Sequence, residues 1–310
     1  MDPKRKILFI TKDFNNRVEK STVYLMNELK KNAFVYSTDA NGDIQTILKS
    51  IYFRPDFILL NDYKPDYCPF VRGLHKINIP YGVILHDLKY KPFRREQFYL
   101  WEKVKHIFTI YRDAALETFP QLTDKMIWFP HHVPIDIFKD YQLKKEIDIL
   151  MMGALIPQLY PKRVKFYNIL QQLPNFVYHP HPGYKELTKT DEFYIGEKYA
   201  KEINRAKIFI TCDSKDHFPL MKYFEALACK TLLLATPSKE LEDLGFVDGK
   251  TFVAVEEGNL LNKVQYYLEN EEERNKIVES GYQMVRKQHS TFKRAQDFLN
   301  VIEDIIAAKF

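Results

Sequence analysis

The stretch HFPLMKYFEALACKTLLLA, residues 217–235, sets an apolar helix directly before an apolar strand. We expect Pro219 at the first helical position, where its missing N–H costs nothing. Lys222 and Glu225 interrupt the helix three residues apart, so they share one helical face. A surface ion pair of this spacing stabilises a helix by only about 0.2–0.5 kcal/mol. We therefore interpret the two charges as a candidate ligand-binding pair, with the surface ion pair as the alternative.

Apolar runs and amphipathic segments alternate along the rest of the chain. Short runs such as KILFI (6–10) and IDILMMGA (147–154) predict buried strands, whereas segments such as 162–173 predict helices. This alternation is typical of a parallel sheet covered by helices on both faces. The segment 130–146 interrupts it with two prolines and a polar end, which favours a connection between domains. The sequence therefore predicts an α/β protein with two doubly wound halves in tandem.

The composition excludes several classes of protein. A formal charge of +5 over 310 residues suits anionic ligands but is too weak to indicate a nucleic-acid partner. No apolar run reaches the length of a membrane-spanning helix, so we expect no transmembrane segment. Three widely spaced cysteines form neither a zinc motif nor a disulfide framework, which favours a reducing, cytoplasmic compartment.

The ends of the predicted strands supply the first candidate site residues, because ligands of open parallel sheets bind beyond the carboxyl ends of strands. His86 and Asp87 follow one strand, and Ser214 ends another. A histidine there can hydrogen-bond a sugar hydroxyl or a phosphate, or transfer a proton near neutral pH. The alternative is a histidine that caps the next helix or contacts solvent.

Gly153 closes a third strand and is followed by Lys162 and Arg163 at a helix start. A glycine lets backbone approach a phosphate closely, and two cations there oppose the helix dipole unless an anion bridges them. We therefore predict a phosphate-binding loop, with simple surface basicity as the alternative. Neither a Walker motif nor GxGxxG is present.

The paired histidines raise the question of a metal site. His131 and His132 are adjacent, and His179 and His181 are two apart. Neither pair has a further ligand at a metal-binding spacing, so loop histidines are the better interpretation. We predict no metal site and no bound cofactor.

Three segments together resemble a known family of enzymes. The segment from Lys222 to Val255, KYFEALACKTLLLATPSKELEDLGFVDGKTFVAV, resembles the donor-binding region of GT-B glycosyltransferases. It is similar in particular to the CgeB/YkvP group of spore-maturation glycosyltransferase-like proteins. EIDILMMGALIPQLYPKR (146–163) and YYLENEEERNKIVESGYQMVRKQHSTFKRA (266–295) resemble the same group.

The resemblance implies two Rossmann-like domains that face each other across a cleft holding a nucleotide-sugar donor. The expected boundaries are 1–135 for the acceptor domain, 136–290 for the donor domain and 291–310 for a helix that returns to the first domain. The resemblance also implies roles for the candidate residues. Glu225 would hold the donor ribose, Lys222 and the loop of Gly153, Lys162 and Arg163 would face the diphosphate, and His86 would be the acceptor-domain histidine.

One position departs from the family pattern. Related transferases often carry a second, sugar-contacting glutamate eight residues before the ribose-binding one, and this sequence has His217 there. The implied function is metal-independent transfer of a sugar from a UDP-sugar to an unidentified glycan, protein or small molecule, with retention of configuration. The alternatives are a non-catalytic nucleotide-sugar-binding or spore-coat protein on the same fold, and a nucleotide-sugar epimerase. The resemblance to spore-maturation proteins implies a spore-associated setting.

Overall fold

Parallel strands and covering helices alternate through the structure, as the apolar pattern predicts. A computed structural model describes residues 4–183 and 193–308 and divides them into two units. The first unit contains the described residues up to Asn15, Lys20–Pro130 and the residues from Arg294 onward. The second contains Asn16–Glu19 and the described residues within His131–Lys293. The predicted α/β class is confirmed.

The first unit is built on a six-stranded parallel sheet with the order β2-β1-β4-β6-β7-β8, and β3 pairs separately with β5. Its strands are β1 (Lys6–Ile10), β2 (Phe34–Thr38), β3 (Gly42–Asp43), β4 (Phe57–Leu60), β5 (Val71–Arg72), β6 (Tyr81–Leu85), β7 (His106–Thr109) and β8 (Met126–Trp128). Its α-helices are α1 (Ser21–Asn32), α2 (Ile44–Ser50), α3 (Pro92–Trp101), α4 (Arg112–Thr118) and α11 (Thr291–Ala307), the last of which begins in the second unit.

The second unit is built on a five-stranded parallel sheet with the order β10-β9-β11-β12-β13. Its strands are β9 (Ile147–Met152), β10 (Phe176–His179), β11 (Ala206–Ile210), β12 (Leu232–Ala235) and β13 (Val253–Ala254). Its helices are α5 (Pro161–Leu170), α6 (Gly196–Asn204), α7 (Met221–Ala228), α8 (Lys239–Asp243), α9 (Leu260–Glu269) and α10 (Glu271–His289).

The final helix completes the core of the first unit. Ala295, Phe298 and Ile302 are buried in one cluster with residues of β1, β4 and β7. Phe298 lies 4.8 Å from Phe108, measured between ring centroids. An apolar stripe on α11 is thus buried against a sheet whose strands lie far away in the sequence, so tertiary packing stabilises this helix.

Strand β13 contains only two residues, because a turn precedes it. The backbone N–H of Val247 donates to the Thr251 hydroxyl oxygen at 2.7 Å, and that hydroxyl donates to the Gly245 carbonyl at 2.8 Å. These bonds fold residues 245–251 into a turn, and β13 begins only after it. Phe246 and Phe252, which lie before β13, are buried outside the sheet, whereas Val247 is exposed.

Each sheet reverses its strand order once, and this places the candidate sites. The reversal lies between β1 and β4 in the first sheet and between β9 and β11 in the second. Ligands of such sheets bind outside the carboxyl ends of the strands at this switch point. In the second unit these strand ends lead into Gly153 and Asp213, and in the first unit into Thr11 and Asn61.

Helix α10 approaches α7 closely at Gly281. A Cβ atom at this position would lie 2.3 Å from the Thr251 carbonyl oxygen and 2.9 Å from Leu227 Cδ2. We therefore expect Gly281→Ala to lower the free energy of unfolding by about 2 kcal/mol, because neither neighbour can move without repacking the core. Urea unfolding monitored by circular dichroism measures the change. Gly258→Ala is the matched control, since a Cβ there meets no atom within 4 Å; equal losses in the two variants would contradict the close approach.

Among the described residues, no helix is both long and apolar enough to span a bilayer.

Candidate functional site

Two cationic side chains converge over Gly153, directly after β9. A Cβ on Gly153 would lie 3.0 Å from Arg163 Nη1 and 3.4 Å from Lys222 Cε, and the backbone φ angle is +147°. The φ angle favours glycine, and a Cβ atom would press on the Arg163 guanidinium. Because Gly153 has no side chain, Lys222 of α7 and Arg163 of α5 can lie together at the carboxyl end of β9.

Arg163 is almost completely enclosed by protein. Its side chain is 2% exposed, its Nη1 donates to the Ala154 carbonyl oxygen at 3.2 Å, and its guanidinium lies 4.0 Å from the Tyr160 ring centroid. Its Nε and Nη2 atoms make no hydrogen bond within the described chain. Unused donors on a buried cation are costly, and an anionic ligand that accepts from them would remove that cost.

Tyr199 of α6 joins the two charges that interrupt α7. Its hydroxyl donates to Glu225 Oε2 at 3.1 Å and accepts from Lys222 Nζ at 3.3 Å. Glu225 is buried, and Tyr199 is buried as well. The spacing on the helix brings the two charges to one face, as predicted, but they meet through a third residue rather than as a surface ion pair.

Burial shifts the pKa values of this group. It lowers the pKa of Lys222 to about 8, with Arg163 acting in the same direction and Glu225 against it. Burial also raises the pKa of Glu225, opposed by Lys222 and by the Tyr199 hydrogen bond. His181, after β10, has its pKa lowered to about 4 by burial and by the charges of Lys222 and Arg163. His181 is therefore neutral at neutral pH, so it adds no charge beside the two cations.

The lowered pKa of Lys222 predicts pH-dependent anion binding. Lys222 loses its charge as the pH rises through about 8, so affinity for UDP should fall by up to tenfold per pH unit above that value. Calorimetry between pH 6.5 and 9 measures this slope. Lys222→Arg keeps its charge over the whole range, so its affinity should stay flat across it. Equal slopes in the two proteins would contradict the assignment, because ionisation of the ligand itself affects both alike.

A second cluster is centred on Asp213, beyond the carboxyl end of β11. This buried carboxylate lies 3.5 Å from Lys162 Nζ and 2.8 Å from His217 Nδ1, and it accepts from the Thr236 hydroxyl at 3.0 Å. Lys162 and Arg163 are neighbours on α5 but point to different partners. The charge of Lys162 is partly balanced by Asp213, whereas Arg163 faces Gly153 and Lys222.

The residues before α7 form a tight turn instead of the predicted first helical turn. The Ser214 hydroxyl accepts from the backbone N–H of Phe218 at 3.4 Å, and the Ser214 carbonyl accepts from that of His217 at 3.0 Å. His217 has a φ angle of 59°, a left-handed conformation that reverses the chain. The expectation that Pro219 opens the helix is therefore wrong, because the turn delays the start of α7 to Met221.

In the first unit, His86 lies directly after β6 in a defined hydrogen-bond network. Asn61 donates through Nδ2 to Thr11 at 2.9 Å and to Thr22 at 3.2 Å, so its Oδ1 accepts from His86 Nε2 at 2.8 Å. The ring stacks on Tyr67 with a centroid distance of 4.8 Å. Burial lowers the pKa of His86 to about 3. The imidazole is therefore neutral and carries its lone pair on Nδ1, which suits it to accept a hydrogen bond from a hydroxyl.

A buried ion pair fixes the loop that carries His86 and Asp87. Asp62 Oδ1 lies 2.7 Å from Arg95 Nη2, and both side chains are fully buried. Asp62 also accepts from the backbone N–H groups of His86 at 2.9 Å and Asp87 at 3.0 Å. Asp87 in turn binds Lys64 Nζ at 2.9 Å. The loop is thus held by three contacts, and Asp87 is already paired with a cation.

The structure sorts the predicted residues into three groups. Gly153, Arg163, Lys222 and Glu225 form one connected set, and Lys162, Ser214 and His217 surround Asp213. His86 and Asp87 lie in the other unit and are held separately. Of the paired histidines, His179 Nε2 lies 2.9 Å from Glu202 and His132 Nδ1 lies 3.0 Å from Thr291.

Tyr199 escaped the sequence prediction, whereas Asp213 was assigned no role although it stands at a predicted strand end. Asp213 stands at a strand end, so the strand-end rule was sufficient to nominate it. Tyr199 lies on the apolar face of α6, where an aromatic residue ordinarily indicates core packing. Within residues 4–183 and 193–308, no group of three or more His, Cys, Asp or Glu is placed to hold a metal ion.

Residues 162–300 match the family model described as glycosyl transferase-like. No curated protein matches the sequence significantly.

Three solved structures share the fold over nearly all of the chain. Sucrose-phosphate synthase from Thermosynechococcus elongatus has a TM-score of 0.71 at 13% identity, covering 98% of this chain and 100% of its own. A glycosyltransferase from Rickettsia africae has a TM-score of 0.66 at 14% identity, with 99% of both chains covered. Anabaena Alr3699/HepE in complex with UDP-glucose has a TM-score of 0.64 at 12% identity, covering 96% of this chain and 99% of its own. The chain therefore has the GT-B fold, with two Rossmann-like domains, and its residues 162–300 match the glycosyl transferase-like family model.

Proposed function

We propose that this protein is a glycosyltransferase that takes its sugar from a UDP-sugar donor. The observation that carries the proposal is Arg163, a buried cation with two unused donors that lies beside Lys222 at the switch point of the second sheet. A diphosphate is the anion that fits two convergent cations behind a glycine. The structure of Anabaena Alr3699/HepE with UDP-glucose supports UDP-sugar as the donor class.

In this proposal the cations replace a metal ion in transfer. The bond between the anomeric carbon and the β-phosphate oxygen breaks, and its electron pair leaves with UDP. A new bond forms between the anomeric carbon and the acceptor oxygen, and the proton of the acceptor hydroxyl passes to the departing UDP. Arg163 and Lys222 stabilise the charge that develops on the departing UDP. Lys162, which also pairs with Asp213, adds a third positive charge at the same strand ends. The expected metal independence follows from these cations, and retention of configuration rests on the resemblance alone.

Glu225 is proposed to bind the donor ribose. An ionised carboxylate accepts two hydrogen bonds at once, which matches two vicinal hydroxyl groups. Tyr199 donates to Oε2 only, so Oε1 keeps its capacity to accept. Lys222 reaches the same tyrosine, so ribose and diphosphate would be bound by one linked set of side chains.

His217 is proposed to contact the donor sugar in place of the glutamate found in related transferases. In the neutral tautomer in which Nδ1 donates to Asp213, the lone pair lies on Nε2 of an exposed ring. An imidazole held in this way accepts a hydrogen bond from a sugar hydroxyl, as a carboxylate would. His86, with Asp87, is proposed to position the donor sugar or the acceptor through its Nδ1 lone pair.

The experiment is a turnover assay with a panel of UDP-sugars and simple glycan acceptors. UDP release and product formation, both followed by NMR, should identify at least one donor. The Lys222→Met variant should no longer release UDP from that donor. If UDP binds but no donor is turned over, the result supports a non-catalytic binding protein. The histidine at position 217, where related transferases often have a glutamate, favours this alternative. A changed sugar without any acceptor would instead identify an epimerase.

Membership of the CgeB/YkvP group and a cytoplasmic, spore-associated setting are part of this proposal. The group and the spore association rest on the resemblance of residues 147–300, and the cytoplasmic setting rests on the three widely spaced cysteines. The acceptor is left open as a glycan, a protein or a small molecule.

A further inference from the structure

Helix α3 of the first unit exposes a stripe of large apolar side chains. Phe93 is 72% exposed and Trp101 is 74% exposed, and Leu100 between them is exposed as well. These residues lie at positions i, i+7 and i+8, so they share one face over about 12 Å of helix. Single exposed apolar residues are ordinary, but a row of them on one helix face indicates an interaction site.

The opposite face of α3 is firmly anchored. Arg95 and Tyr99 are completely buried there, and Arg95 forms the ion pair with Asp62. The exposed stripe is thus not the core-facing side of a misplaced helix. It is the outer face of a helix whose inner face is already packed.

Neighbouring loops extend this stripe into a surface. Phe70 is exposed and lies 5.9 Å from Phe98, measured between ring centroids. His75 lies 6.2 Å from Trp101 and pairs with Glu102 at 3.0 Å. We call the exposed side chains of Phe70, Phe93, Leu100 and Trp101, with the cations around them, the α3 surface.

Cations flank both ends of the stripe. Lys91 and Arg94 are exposed at the start of α3, and Lys103 and Lys105 are exposed just after its end. The loop that contacts Trp101 adds further exposed cations, Arg72 and Lys76. Residues 70–105 contain eight Lys and Arg against three Asp and Glu. Of the acids, Glu102 is buried and Asp87 is bound to Lys64, and of the cations Arg95 is buried in its ion pair with Asp62. Seven cations then remain against Glu96, so the surface is positive.

We propose that the α3 surface binds the surface of a membrane that contains anionic lipids. Trp and Phe side chains insert at the level of the lipid head groups, and flanking Lys and Arg side chains attract anionic head groups. The charge pattern selects this occupant, because an apolar stripe bounded by cations at both ends matches a bilayer with an apolar interior and a negative surface. Binding at this surface would bring the enzyme to acceptors displayed on a membrane.

The first test measures binding to lipid vesicles. Full-length protein is sedimented with vesicles of phosphatidylcholine alone and with vesicles that contain 30 mol% phosphatidylglycerol. We expect binding to the anionic vesicles to be at least tenfold tighter, and to weaken at high salt because the attraction is screened. Equal binding to both vesicles, or binding to neither, would overturn the proposal.

Trp101 provides a reporter at the site itself. The chain has two tryptophans, and Trp128 lies under Arg112 with a distance of 4.4 Å to the ring centroid. In a Trp128→Phe variant the remaining fluorescence comes from Trp101 alone. We expect a blue shift of this emission with anionic vesicles. Vesicle binding without a shift would place the contact elsewhere and overturn the proposal.

Two sets of variants separate the apolar and the charged contributions. Phe93→Ser with Trp101→Ser should weaken vesicle binding at least tenfold. Lys91→Ala with Arg94→Ala should weaken it by about 25-fold, from a factor of about five for each cation. These side chains are exposed, so the variants should retain the circular dichroism spectrum of the parent.

The control changes exposed residues of the same types in the second unit, Tyr266→Ser with Lys250→Ala. Its vesicle binding should match that of the unchanged protein. A similar loss in this control would mean that binding is non-specific. If light scattering detects a dimer that Phe93→Ser with Trp101→Ser abolishes, the occupant of the α3 surface is a second copy of the chain. Binding of RNA at this surface without vesicle binding would also refute the proposed membrane contact. The vesicle tests use no nucleotide, so their result is independent of the proposed transferase activity.

Discussion

Replacing Arg163 by methionine is expected to weaken the binding of UDP by roughly 150-fold. Arg163 carries two buried donors that no described group accepts, and a diphosphate would take both. Losing charge-assisted hydrogen bonds of this kind costs about 3 kcal/mol, which corresponds to that factor. Methionine fills much of the same space without charge, so the change reports on binding more than on packing. Isothermal titration calorimetry measures the affinity.

Lys165 provides the matched control for Arg163. It is a cation on the same helix, but it is exposed and pairs with Glu257 at 2.7 Å. Lys165→Met should leave UDP affinity within about twofold, because exposed ion pairs contribute little. If a folded Arg163→Met protein bound UDP as tightly as the parent, Arg163 would not face the diphosphate, and the proposed donor site would have to be abandoned.

Glu225→Ala is expected to weaken UDP binding by about a hundredfold while leaving the binding of inorganic pyrophosphate within a few fold. The carboxylate is proposed to accept from the ribose hydroxyls, which pyrophosphate lacks. Removing a buried charged acceptor costs about 2–5 kcal/mol when its partner is left unsatisfied. Parallel titrations with UDP and pyrophosphate on one protein preparation measure the difference.

Two further variants separate the ribose contact from the support of α7. Glu225→Gln keeps the shape and an acceptor oxygen for the Tyr199 hydroxyl but removes the charge, so its loss for UDP should be smaller than that of alanine. Glu242→Ala changes an exposed glutamate on α8 and should leave both titrations unchanged. Equal losses for UDP and pyrophosphate in Glu225→Ala would indicate a disturbed helix rather than a lost ribose contact. Unchanged affinity for UDP in the folded protein would refute the assignment.

The elements near the site differ in how far the sequence predicted them. The order of strands and helices followed from short apolar runs and 3.6-residue periodicity, and the α/β fold with two Rossmann-like domains is confirmed. The start of α7 was wrong because a turn at His217, with a positive φ angle, displaced the predicted proline cap. A turn and a helix start are both compatible with the same few residues here, and the sequence pattern does not show which of the two forms.

The side chains that contact the candidate residues were harder to predict than the candidate residues themselves. Glu225 and Tyr199 are 26 positions apart, and His86 and Asn61 are 25 positions apart. The strand-end rule nominates residues at each strand but does not say which side chains meet. The assignments of the candidate residues remain predictions that the experiments above address.

The sequence by itself determined the alternation of strands and helices, the strand ends at which polar residues gather, and the shared face of Lys222 and Glu225. These properties depend on the periodicity of side chains along a single helix or strand, so a few neighbouring residues are enough to predict them. The tertiary structure decided that Arg163 faces Gly153 while Lys162 faces Asp213, that Tyr199 stands between the two charges of α7, and that α11 packs on the first sheet. Those outcomes depend on strand order and on packing between distant segments, because a helix face specifies that it must be buried but not what will bury it.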